Sequence, residues 1–153
     1  MNINETSEFF KSLISETKKK SEIKIYNDYL VILSALKEKE LTEEELQSID
    51  KKLNNLDLKA NPEKRKKHLK LKLQEFTTYL KKEFSLITEG YYSAIGIALG
   101  PGFGMVFGII FLSFIERSLG LTYGIMAGMV IGYFIGLNFD ANAEKQNRVL
   151  KTK

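Results

Sequence analysis

Few side chains in this sequence are equipped for chemistry. His68 is the single histidine in 153 residues, and cysteine is absent. His68 stands among lysines, without the Cys or carboxylate neighbours that metal ligation needs at fixed spacing, and reads as a solvated side chain. Arg65 and His68 are too close together and too isolated to suggest a nuclease pair. Gly100-Pro101-Gly102-Phe103-Gly104 is glycine-rich, but it lacks the Lys-Ser/Thr of a phosphate loop and follows no strand. Glu43-Glu44-Glu45 is a helix start, not a pair of catalytic acids. Absent cysteine also removes disulfides, thiolate metal sites and thiol nucleophiles. The chain therefore reads as non-enzymatic, with no cofactor and no metal.

The chemistry that remains is electrostatic. Lys64-Arg65-Lys66-Lys67 with Lys70 and Lys72 is the densest basic cluster. Beside a membrane, such a cluster attracts anionic headgroups by about 1 kcal/mol per charge. Nucleic acid attracts lysine in the same way, but no recognition motif or interleaved aromatic platform accompanies the cluster. Lipid-headgroup contact, or a plainly solvated face, is the preferred reading over nucleic acid.

The elements that position this cluster are helical. Phe9, Phe10, Leu13 and Ile14 form a short amphipathic face, interrupted by Lys18-Lys19-Lys20. Ser21 is a candidate cap for a second helix reaching about Lys39, with Ile25, Tyr29, Ile32, Leu33 and Leu36 on one stripe. The alternation Ile23-Lys24-Ile25-Tyr26 leaves a strand as the lesser alternative. Thr42-Glu43-Glu44-Glu45 is a capping box opening a third helix, with Leu46, Ile49, Leu53 and Leu56 inward and an end at Asn54-Asn55. Asn61-Pro62 starts a fourth helix, Asn as the cap and Pro at the first helical position. Leu69, Leu73, Phe76, Leu80 and Ile87 form a heptad-like seam on it, broken at Glu83. That seam packs on the amino-terminal helices or zips to another chain. The helix runs into the following segment or hinges at Thr88-Glu89-Gly90.

From Tyr91 to Phe139 the only ionisable residues apart from tyrosines are Glu116 and Arg117. A bilayer core requires roughly 20 apolar residues in a helix. Two segments meet that length, about 92–115 and 119–139, with the charged pair at the turn. At about 1.5 Å per residue each reaches roughly 30–36 Å. Within them Gly96, Gly100, Gly104 and Gly108 recur every four residues, as do Gly120, Gly124, Gly128, Gly132 and Gly136. Glycine costs about 1 kcal/mol relative to Ala in a water-exposed helix. In lipid the backbone must bond to itself, and glycine lets two helices approach closely. The ladders either glue the two helices of one chain or pair between chains to build an oligomer; two drifting stripes can serve both contacts. Pro101 removes one backbone donor in the first span, where a kink is expected.

Charge is unevenly spread. Residues 1–61 carry ten Lys against twelve Asp/Glu, giving −2. Residues 62–82 carry eight Lys/Arg against two Glu, giving +6, and residues 140–153 carry four Lys/Arg against Asp140 and Glu144, giving +2. Basic charge thus flanks the apolar segment at both outer ends, which places both termini in the cytoplasm. The start of the chain shows no basic-plus-apolar signal peptide.

Residues 91–150 resemble small, largely uncharacterised bacterial membrane proteins built on a glycine-zipper hairpin. The shared features are the two ladders, the short turn, Asp140, and the polar basic segment Ala143-Glu144-Lys145-Gln146-Asn147-Arg148-Val149-Leu150. The resemblance implies an architecture and a place in the bacterial inner membrane, and it names no activity; glycine zippers also occur in unrelated channels and pore formers. The expected fold is all-α: a cytoplasmic helical bundle (1–60), a basic juxtamembrane helix (61–90), a glycine-zipper transmembrane hairpin (91–139) and a basic cytoplasmic tail (140–153). The expected role is a membrane scaffold that self-associates and presents its cytoplasmic domain to a protein partner or to the membrane surface. The alternative is an oligomeric channel or membrane-permeabilising effector.

Overall fold

The structure is a computed structural model and describes residues 1–60, 64–112 and 117–151. The expected cap at Asn61-Pro62, the end of the first span at Ile115 and the Glu116 side of the turn lie outside those residues. Among the described residues the chain is helical apart from two two-residue strands and the connections. It divides into two units, one built from residues 1–88 with the segment from Leu150 onward, the other from residues 89–149.

In the amino-terminal unit, α1 (Ile3–Glu16) starts at a capping box. The Asn2 side chain accepts from the Glu5 amide at 2.8 Å, and the Glu5 carboxylate accepts from the Asn2 amide at 3.2 Å. Asn2-x-x-Glu5 is as legible as the box at Thr42, which does open α3 (Glu43–Asn55). Between them α2 spans Lys20–Lys37. Ser21 lies inside this helix, and the cap position belongs to Lys19, whose side chain makes no capping bond. Ile23–Tyr26 is helical, because Ile25 and Tyr26 share the stripe that faces the core.

That core is aromatic at its centre. Phe10 is fully buried and stacks on Tyr29 with ring centroids 4.2 Å apart. The Tyr29 hydroxyl donates to the Leu69 carbonyl at 3.1 Å, and burial pushes its phenol far above the ordinary value. Ile25, Ile32, Leu33, Leu36, Ile49, Leu53 and Leu56 complete the core with Leu69, Phe76 and Leu80 from α4 (Arg65–Phe84). Leu73 packs against it, so the seam of α4 is spent within the chain. Phe10→Ala in the full-length protein should destabilise this unit by about 3–5 kcal/mol, the cost of emptying an aromatic site in a packed interior. Chemical denaturation followed by circular dichroism reads that loss. An unchanged midpoint would mean that the Phe10–Tyr29 stack contributes nothing.

The seam ends before Ile87. Ser85 adopts a left-handed conformation (φ 56°), and the Leu86 amide donates back to the Leu80 carbonyl at 3.2 Å. This backward bond, made across the left-handed Ser85, terminates α4, with Leu86 buried beneath it. The helix therefore does not run into the first apolar segment. Ile87–Thr88 (β1) pairs instead with Val149–Leu150 (β2), and Leu150 joins the core of the amino-terminal unit.

The second unit is an antiparallel pair, α5 (Tyr91–Leu112) and α6 (Arg117–Lys145). Tyr91–Phe111 and Gly120–Lys145 are each long and apolar enough to cross a membrane. α5 is continuous through Pro101. The expected boundary at Asp140 is displaced, since α6 continues to Lys145. Ala141, Ala143, Glu144 and Lys145 are good helix formers and nothing among them breaks the ladder. The stop comes at Asn147 (φ 55°), where the Arg148 amide donates to the Ala143 carbonyl at 3.0 Å. As at Ser85, a left-handed residue and a backward amide bond end the helix, and here the bond is the six-to-one closure.

Candidate functional site

Glycine brings the backbones of α5 and α6 together. A Cβ placed on Gly96 would fall on the Gly132 carbonyl, one on Gly100 on the Gly128 carbonyl, one on Gly104 on the Gly124 carbonyl, and one on Gly108 on the Gly120 carbonyl. The reverse holds as well: a Cβ on Gly128 would lie 2.6 Å from the Gly104 Cα, and one on Gly124 would lie 2.8 Å from the Gly108 Cα. No side chain fits at such separations. Gly136, the fifth step of the α6 ladder, meets the backbone of Tyr92 and Ser93, where α5 has no glycine to offer. All nine ladder glycines thus lie along one seam inside the chain. Gly102, off the ladder, has nothing within 4 Å of its would-be Cβ.

The outer surface of the pair is the inverse of a soluble fold. Only 17% of the residues in each apolar window are buried within the molecule. Leu99, Phe103, Phe107, Phe111, Met126, Val130, Ile131, Phe134 and Phe139 are all more than half exposed, and several of them line one open groove. That groove has a volume of about 720 Å³, a glycine floor, and walls that include Phe103, Phe107, Ile131 and Phe139. Soluble monomers do not present contiguous apolar surface on this scale.

One carboxylate closes the end of the hairpin. Asp140 accepts from the Tyr92 amide at 2.9 Å through Oδ1, and from the Ser93 amide at 2.9 Å through Oδ2. The Ser93 hydroxyl also donates to Oδ2. These amides belong to the first turn of α5, where no intrahelical acceptor exists. A carboxylate at that position also meets the positive end of the helix dipole. Asp140 reaches it because α6 extends one turn past Gly136. In the sequence Asp140 stands out only in the charge count of the tail and in the resemblance, and neither indicates this role. The available signal was a small polar residue and an acid, Ser93 and Asp140, at the matching ends of two apolar helices.

The basic cluster sits at the start of α4, and the structure divides it. Lys64, Lys66, Lys67 and Lys70 are exposed. Arg65 is half-buried and turned toward the Tyr26 phenol, which burial raises above its ordinary value and which Arg65 pulls down. Lys72 is half-buried and pairs with Glu75 at 3.0 Å. Glu75 also pairs with Lys52, and hydrogen bonds from these two lysines hold its carboxyl below the usual range. His68 is half-buried, its Nε2–H donating to the Asp57 carbonyl at 2.9 Å, so it ties down the connection before α4 and is not simply solvated. Among the described residues no group of three His, Asp or Glu side chains is placed to hold a metal. No protein-family model, curated protein or solved structure matches the chain, so the reading of these sites rests on their geometry alone.

Proposed function

We propose that this chain is a non-enzymatic integral membrane scaffold of the glycine-zipper two-span type, set in a bacterial inner membrane with both termini in the cytoplasm. The hairpin α5–α6 is the anchor, and the amino-terminal helical unit is what it presents to a cytoplasmic partner or to the membrane surface. The observation that carries the reading is the inversion of the hairpin: backbone glycine inside, large apolar side chains outside. Lipid is the medium in which that arrangement is favourable, because tails cover the apolar exterior and the mated helices keep their backbone bonds internal. Because the ladders meet within the chain, self-association falls to the remaining apolar exterior, including the glycine-floored groove.

The pore reading draws no support from this geometry. The groove is lined by aliphatic and aromatic side chains and glycine, with nothing polar enough to hold a water column. Native mass spectrometry of the full-length protein in lipid nanodiscs separates the two. The scaffold reading expects a monomer or a dimer. A closed ring of about five or more chains, with ion leakage from liposomes, would overturn it.

A further inference from the structure

A second membrane contact is written on the outer face of α4. Taking Lys67 as the centre, with about 100° per residue, Lys70, Leu71, Gln74, Thr78, Lys81 and Lys82 fall within about 60° to either side. All are exposed. Leu71 is 56% exposed, and it is the one large apolar side chain so exposed among the described residues outside the hairpin. Among the described residues α4 itself places no acid on this face, and Asp28 of α2 borders it beside Lys70 and Gln74. Glu75 lies about 80° round and is engaged by Lys52 and Lys72, and Glu83 lies about 160° round, near the opposite side. This arc is not the linear cluster of the sequence: it drops Arg65, which faces inward, and Lys72, which pairs with Glu75, and gains Lys81 and Lys82 three turns later.

We infer that this face docks on an anionic bilayer surface, with Leu71 entering the headgroup–acyl boundary and Lys67, Lys70 and Lys82 reaching the lipid phosphates. The inference rests on the membrane reading of α5 and α6. Charge complementarity selects the occupant: Lys67, Lys70 and Lys82 around one leucine, with no acid of α4 among them, suit negatively charged headgroups over a shallow apolar layer, and lysine stems can lie along that layer while their ammoniums stay in water. The chain supplies proximity. Only Ser85–Gly90 separate α4 from α5 in the sequence, and six extended residues reach at most about 20 Å. Docking therefore proceeds at high effective concentration. Zwitterionic lipid alone offers the leucine an interface without the attraction that holds it there.

Because the chain has no cysteine, a single one reports one position. The full-length Leu71→Cys protein, carrying a nitroxide, is placed in nanodiscs of phosphatidylcholine alone or of phosphatidylcholine with phosphatidylglycerol. Collision with oxygen and with a water-soluble nickel complex is then measured. In the anionic discs the label should lose most of its contact with nickel and gain contact with oxygen, while in neutral discs it should stay aqueous. Changing Lys67, Lys70 and Lys82 to Gln in the same protein should return the label to water. A label that is aqueous in both discs overturns the inference. So does dipolar broadening between labels on two chains, which would make the face a contact between copies. A Val106→Cys label within α5 keeps the underlying reading separate: buried in lipid in both discs, it upholds the membrane anchor whatever Leu71 does, and an aqueous Val106 label overturns both.

Discussion

Gly128→Leu separates α5 from α6. Even a single methyl at this position meets the Gly100 carbonyl and the Gly104 backbone, and neither can move without displacing its whole helix. Overpacking a well-formed interior typically costs about 1–3 kcal/mol, and a full isobutyl group between two backbones lies at or beyond the top of that range. Thermal unfolding in detergent should shift downward by many degrees, with faster hydrogen exchange along α5. Gly102→Leu adds the same side chain to the same hairpin where nothing lies within 4 Å, and should change stability by no more than about 0.5 kcal/mol. Equal melting curves for the two variants would mean that the ladder seam is not what joins the helices.

Asp140→Ala removes the acceptor that the first turn of α5 depends on. Two amides and the Ser93 hydroxyl lose their partner together in a partly buried setting. Hydrogen bonds to a charged group are worth about 1.5–3 kcal/mol each, and they share one carboxylate, so a loss on the order of 3 kcal/mol is expected. Asp140→Asn keeps an acceptor oxygen and gives up the charge, and should recover about half of that loss. Amide exchange at Tyr92 and Ser93, resolved by mass spectrometry of short peptides, is the specific readout. Acceleration confined to this turn supports the clamp. Exchange that stays slow in Asp140→Ala would show that another group caps α5.

Much of this was legible in the sequence because it is periodic. Glycine at every fourth position announces a helix with a smooth stripe, and a long run without charge announces an apolar environment. The pairing of stripes was not legible. Each ladder drifts by about 40° per step around its helix, so the sequence admits a partner in the same chain or in another. The antiparallel match of Gly96 with Gly132 and of Gly108 with Gly120 is a tertiary fact. Helix ends divide in the same way. The boxes at Asn2 and Thr42 are local and readable. Asn147 is of a type enriched in the left-handed region and was a readable signal, whereas the stop at Ser85 depends on a left-handed residue that propensity does not flag. For the same reason the seam seemed to extend to Ile87. The basic cluster was visible as a run, but a run carries no direction. Only once α4 is set against Tyr26 of α2 and Lys52 of α3 does Arg65 turn inward and Lys72 join Lys52 on Glu75, leaving Lys67, Lys70 and Leu71 outward.

The central claim, that α5 and α6 span a bilayer, has a direct test in the absence of tryptophan from the chain. Tyr123, Val130 and Leu137 lie seven residues apart on α6, are exposed, and stay clear of the groove. Each is replaced singly by tryptophan in the full-length protein, and quenching by lipids brominated at different depths is measured in liposomes. The account predicts the deepest position for Val130→Trp, with Tyr123→Trp and Leu137→Trp near opposite interfaces. A uniform shallow depth for all three, as for a helix lying along the surface, would contradict it, as would tryptophans that no lipid quenches.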